Sequence, residues 1–164
     1  MAVQIIKDRL ADHLVNGIKY YKINEWYEMT LLEARTENWL DYMVPVGRSV
    51  YDHVIYESEV EKNFIEGLEK REDVRLYLKL PRWFNVRTPV GEYNPDWAIV
   101  MEERDEHGQP TDQPLLYLVR ETKDTHKLDD LRPDERRKVQ CGERHFKDAL
   151  GVDYKIVTSA NELP

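Results

Sequence analysis

Three charged side chains stand at the ends of runs that are otherwise largely apolar. Asp96 opens DWAIV, and Glu121 and Lys123 close LLYLVRETK. Charge at the end of a half-buried extended run costs stability unless it holds something. If the two runs form a hairpin centred near residues 108 and 109, Asp96 faces Glu121 across the pair, and period-two alternation brings Lys123 to the same face. Two facing carboxylates repel, and a cation between them relieves the repulsion. Their oxygens suit a hard ion such as Mg2+, which takes one or two carboxylates and keeps several waters, with Mn2+ as a possible substitute. Thr122 offers a further oxygen, its backbone carbonyl. Such an ion polarises a phosphoryl oxygen and acidifies a bound water, while Lys123 is placed to orient that water and offset developing negative charge. The chemistry this set offers is hydrolysis of a phosphodiester. Alternatively, Asp96 closes a turn, and Glu121 and Lys123 are solvated strand ends.

Other elements must hold these residues in place. Residues 1–16 predict a helix, with Val3, Ile6, Leu10 and Leu14 in one stripe and Asn16-Gly17 as its stop. Residues 17–54 are aromatic and β-branched in patches (IKYYKI, WYEMTLL, VYDHVIY), with a turn at Pro45 and Gly47, and predict short strands. Residues 58–70 predict a second helix with Val60, Phe64 and Leu68 on one stripe, and 74–80 alternate as a strand. A connection over 81–89 carries Trp83 and Phe84. Residues 91–102 read as a strand bent at Asn94-Pro95, because proline cannot donate to a ladder and turns the chain just before Asp96. EERDEHGQPTDQP is a polar hairpin loop, and 115–123 form the next strand. A linker with Pro133 leads to a helix over 134–150 that turns Val139, Gly142, Phe146 and Leu150 inward, and 153–158 form a last strand.

The chain has 164 residues, 41% hydrophobic and 34% charged, which is single-domain length. It divides into an N-terminal helix and strand extension (1–57) packed on a core (58–164). A single cysteine, Cys141, excludes an internal disulfide and suits a cytoplasmic location. No run approaches the ~18 apolar residues of a membrane span, so no membrane partner is expected. The net charge of −8 counts against a free-standing nucleic-acid binder. Any such role must rest on a local basic patch, a metal or a partner.

Pro95-Asp96 followed by Glu121-Thr122-Lys123, with a helix before and a helix and strand after, resembles the PD-(D/E)xK nuclease core. SEVEKNF, LPRWFNVRTPVGEYNPDWAIV, YLVRETKD and KVQCGERHF together resemble the C-terminal endonuclease domain of the restriction subunit of Type III restriction enzymes, over residues 51–157. The resemblance implies that Asp96 and Glu121 are metal-binding carboxylates and Lys123 the catalytic lysine. It matches Glu61 to an acidic residue on the first core helix near the metal. Ser58 and Glu61 also form a capping box, which explains Glu61 without a metal, and both readings stand. The resemblance implies double-stranded DNA as substrate. It implies as partners a helicase/ATPase motor portion and a modification methyltransferase subunit. No Gly-rich phosphate loop of the Walker type is present, so the chain corresponds to the nuclease portion without the motor.

Lys138, Cys141 and His145 share one stripe of the last helix. In the fold implied by the resemblance that helix flanks the active site, where Lys138 could touch a phosphate. Alternatively Lys138 pairs with Glu135 on a solvated helix edge and Cys141 packs. The lone cysteine and scattered histidines supply no zinc set. The expected fold is α/β, a restriction-endonuclease-like core with a mixed sheet flanked by helices. The expected function is metal-dependent DNA cleavage. A catalytically idle docking or DNA-clamping module of a larger restriction complex is the alternative.

Overall fold

In the computed structural model, residues 2–22, 42–105, 107–111 and 115–164 are described. In chain order the elements are α1 (Ala2–Gly17), β1 (Met43–Pro45), β2 (His53–Ile55), α2 (Glu59–Lys70), β3 (Val74–Lys79), β4 (Val86–Thr88), β5 (Gly91–Tyr93), β6 (Trp97–Met101), β7 (Leu116–Thr122), α3 (Pro133–Glu143) and β8 (Asp153–Val157). A four-stranded mixed sheet in the order β3-β6-β7-β8 forms the centre, antiparallel except for the β7/β8 pair. A parallel neighbour needs a long crossover, and α3 lies in it.

Alternation sorts the sheet's side chains into two layers. Trp97, Ile99, Met101 and Leu118 pack with Phe64, Ile65 and Leu68 of α2. Val119 and Tyr154 pack with Val139 of α3 and Phe146 just beyond it. The fold is therefore mixed α/β, with α2 on one face of the sheet and α3 on the other. Ser58 caps α2, its Oγ accepting the Glu61 amide at 3.2 Å, and Glu59 and Glu61 face the positive end of the helix dipole.

The expected hairpin register holds. Trp97 pairs with Arg120 and Ala98 with Val119, and one step further sets Asp96 opposite Glu121. Other expectations need correcting. Residues 18–22 carry no regular structure where a strand was predicted, and the rest of that patch, with WYEMTLL, falls among residues 23–41, outside the described residues. The supposed connection over 81–89 contains β4, which pairs with β5 as a small separate hairpin. The long strand over 91–102 is thus two strands. The Asn94 side-chain amide holds the break, donating to the carbonyls of Phe84 (2.7 Å) and Pro81 (3.1 Å). Pro133 is the first residue of α3 rather than part of a linker, since its missing N–H needs no partner there. Beyond Glu143 the helix continues as a π-helical segment, Arg144–Ala149. Bonds from i to i+5 put more residues in each turn, so Leu150 slips out of phase with Phe146 and is 38% exposed instead of inward.

On α1 the stripe Val3, Ile6, Leu10 and Leu14 faces solvent. The helix docks by its opposite side. Buried Arg137 of α3 binds Asp12 (2.8 Å) and Asp8 (3.4 Å), and Arg144 collects the carbonyls of Val15 and Asn16. Among the described residues no helix is long and apolar enough to cross a membrane.

Candidate active site

The bend between β5 and β6 and the end of β7 bring the expected charges together. Asp96 is half-buried, and its Oδ2 accepts the Thr122 amide (2.7 Å) and the Thr122 hydroxyl (2.8 Å). The same hydroxyl oxygen accepts the Trp97 indole N–H at 3.1 Å, so Thr122 ties Asp96 to the buried layer under α2. Glu121 is 4% exposed. Its Oε1 lies 3.0 Å from Lys123 Nζ, and its Oε2 accepts the Tyr93 hydroxyl at 2.6 Å. Lys123 Nζ also lies 2.9 Å from Oε1 of Glu135, in the first turn of α3.

The electrostatics follow from burial and proximity. Burial pushes the Glu121 carboxyl up to about 7, with the Asp96 charge adding to the rise and Lys123 and Tyr93 opposing it. Burial likewise raises Asp96, against the Thr122 amide bond and the Lys123 charge, with Glu61 adding to the rise. Burial alone would lower Lys123, but Glu121, Glu135 and Asp96 outweigh it and hold it firmly as an ammonium. Two buried carboxyls, both raised, beside one fixed cation form a site short of positive charge.

Glu61 reaches this site only by its charge. Its Oε2 accepts the amide of Glu57 at 2.6 Å, one residue before the position a capping box would use, and meets Lys79 Nζ at 2.7 Å. Lys138 does not pair with Glu135, which turns to Lys123 and, at 3.9 Å, to Arg132. Lys138 has no ion pair among the described residues. It lines a cavity of about 450 Å³ together with Glu121, Glu135, Tyr93, Arg82 and Asn85. Cys141 is fully buried, as a packed side chain.

Sequence reasoning missed Tyr93, Tyr154, Glu135 and Lys79. Tyr93 and Tyr154 look like core aromatics, and their oxygens meet, 2.6 Å apart, only where the β4/β5 hairpin packs against β8. An acidic residue at a helix start is ordinary, so Glu135 carries no signal of its own.

Among the described residues no three His, Cys, Asp or Glu side chains gather closely enough to cage a metal. The Asp96 and Glu121 pair is nonetheless a fitting donor set for Mg2+, which binds through one or two carboxylates and retains its waters. The burial-driven rise of both carboxyls, with the Asp96 charge adding to that of Glu121, is the electrostatic counterpart of that fit.

A family model described as an endonuclease domain, RE_endonuc, matches residues 47–160. Comparison with curated proteins gave no match, and comparison with solved structures gave none. Asp96, Glu121, Lys123 and the side chains that hold them all lie inside the matched segment, which covers more than half of the sequence, and the chain belongs to this endonuclease-domain family.

Proposed function

We propose that the chain hydrolyses phosphodiester bonds of double-stranded DNA by a PD-(D/E)xK-type reaction dependent on Mg2+, with Mn2+ able to substitute. The observation that carries this is the Asp96–Glu121 pair with Lys123 Nζ 3.0 Å from Glu121, inside a segment matched to an endonuclease family. Asp96 and Glu121 would hold the ion, with the Thr122 carbonyl as a third oxygen. Bound there, Mg2+ supplies Lewis-acid polarisation of a phosphoryl oxygen and a more acidic water. Lys123 is an ammonium, so it donates rather than abstracts protons: it orients the attacking water and offsets charge on the phosphoryl oxygens. Lys138, on the cavity wall and without a carboxylate partner among the described residues, contacts a neighbouring phosphate. Glu61, engaged by Lys79 and the Glu57 amide, acts through its charge and is not a direct ligand.

The resemblance of LPRWFNVRTPVGEYNPDWAIV and YLVRETKD to Type III restriction enzymes supports the further assignment to the nuclease portion of such an enzyme. Its partners would then be an ATP-driven helicase-type motor and a modification methyltransferase, in the cytoplasm. A second reading, an idle docking or DNA-clamping module, is favoured by the net charge of −8.

The test is nicking and cleavage of supercoiled plasmid at low salt with Mg2+ or Mn2+, beside Asp96→Asn. Metal-dependent cutting that Asp96→Asn abolishes supports the nuclease. No cutting, and no metal binding by the wild type, moves the assignment to the idle module.

A further inference from the structure

Glu121 is held from both sides. Lys123 meets one carboxylate oxygen and the Tyr93 hydroxyl the other. The Tyr93 oxygen lies a further 2.6 Å from the Tyr154 hydroxyl. A phenol has one proton. With that of Tyr93 directed at Glu121, Tyr154 donates to Tyr93, and the hydrogen-bond chain runs one way from β8 through β5 to β7.

The rings are fixed as firmly as the hydroxyls. Tyr154 stacks on Phe146 with 4° between ring planes. Tyr93 lies against Gly142 of α3 so closely that any Cβ there would overlap its ring. Tyr93 and Tyr154 are 4% and 2% exposed, in a layer otherwise made of apolar side chains. A phenylalanine would fill the same space, so packing does not account for the oxygens.

We propose that Tyr93 is a positioning residue for the carboxylate of Glu121, with Tyr154 as its anchor and Gly142 as the gap that admits its ring. The proposal rests on the assignment of Glu121 as a metal ligand. Each carboxylate oxygen has two acceptor sites. Tyr93 and Lys123 occupy one on each oxygen, which fixes the carboxylate plane and leaves the remaining sites for an ion. The last torsion of a glutamate is otherwise broad. A ligand fixed in advance does not have to be ordered when the ion binds.

The experiment measures Mn2+ affinity by calorimetry, with a melting curve for each protein, in wild type, Tyr93→Phe, Tyr154→Phe and Asp96→Asn. Tyr93→Phe is expected to melt cooperatively and bind Mn2+ about tenfold or more weakly, the scale on which outer-shell partners act. Tyr154→Phe should move affinity the same way by less, and Asp96→Asn should lose binding. Wild-type affinity in Tyr93→Phe, with binding lost in Asp96→Asn, overturns the positioning role alone. Wild-type affinity in Asp96→Asn, or no binding by wild type, overturns the metal site and this role with it. If Tyr93→Phe does not fold, wild-type affinity in Tyr154→Phe overturns the proposal.

Discussion

The Lys123 ammonium lies 2.9 Å from Glu135 at the start of α3 and 3.0 Å from Glu121 at the end of β7. One side chain thus bridges helix and sheet, and two carboxylates aim it. Lys123→Ala is expected to reduce cleavage by roughly 100-fold or more, the scale of losing a donor to developing charge. Glu135→Gln keeps the side-chain length but loses the charge that steers Lys123. Its expected loss is smaller, on the order of tenfold. Single-turnover cleavage at saturating Mg2+ checks both.

The acid pair also predicts a pH dependence. In the fold Glu121 is raised to about 7, against an ordinary 4.5, so between those values the folded chain holds a proton that the unfolded chain has released. Stability of the metal-free protein therefore falls as pH rises through that window. Asp96, raised from 3.8, acts in the same sense. His145, held below 6.5 by burial, pulls the other way. The useful quantity is the difference between wild type and Glu121→Gln in melting midpoint, from about pH 5 to about pH 7. Wild type should lose ground to the variant across that range, and saturating Mg2+ should remove most of the loss.

Repulsion alone would make removal of Asp96 harmless or even stabilising. Its two hydrogen bonds to Thr122 argue otherwise. Asp96→Ala leaves the Thr122 amide without its acceptor, a cost of about 1–3 kcal/mol that offsets the relief. Asp96→Asn keeps an oxygen for Thr122 while removing the charge. Asn should therefore match or exceed wild-type stability without metal, Ala should fall below Asn, and neither should cleave. Denaturant titrations of the three proteins decide it.

Gly142 is required by close packing rather than by backbone conformation. A methyl group there would press on the Tyr93 ring, so Gly142→Ala should cost about 1–3 kcal/mol, as overpacked cores do. Because Tyr93 must move to make room, cleavage should fall as well. A double variant with Tyr93→Leu should recover stability but not cleavage, measured by thermal melting and plasmid nicking side by side.

The facing of Asp96 and Glu121 was legible because antiparallel register follows from one loop centre and a period of two. Pro95 marked the break beside it. Glu135 was not legible: its partner Lys123 lies across a helix–strand connection, and Lys138 three residues on offered a nearer false partner. The β4/β5 hairpin was missed because strands of three residues show too little alternation to detect. Leu150 was misplaced because a π-helical turn changes the period on which the inward face was counted. The exposed stripe of α1 shows that apolar spacing identifies a helix without saying which side docks, here settled by Arg137.

The β6/β7 hairpin has one more consequence. Asp96 and Glu121 sit at its open end, while the acidic loop closes the other, where Glu102 already pairs with Arg75. At ~3.3 Å per residue, Glu103 lies roughly 20 Å from Asp96. The Debye length at physiological ionic strength is about 8 Å, so little of the loop's field survives that distance. The cavity wall carries Arg82 and Lys138 beside Glu92, Glu121 and Glu135, so what the site presents to a polyanion is set by these few side chains and not by the distant loop.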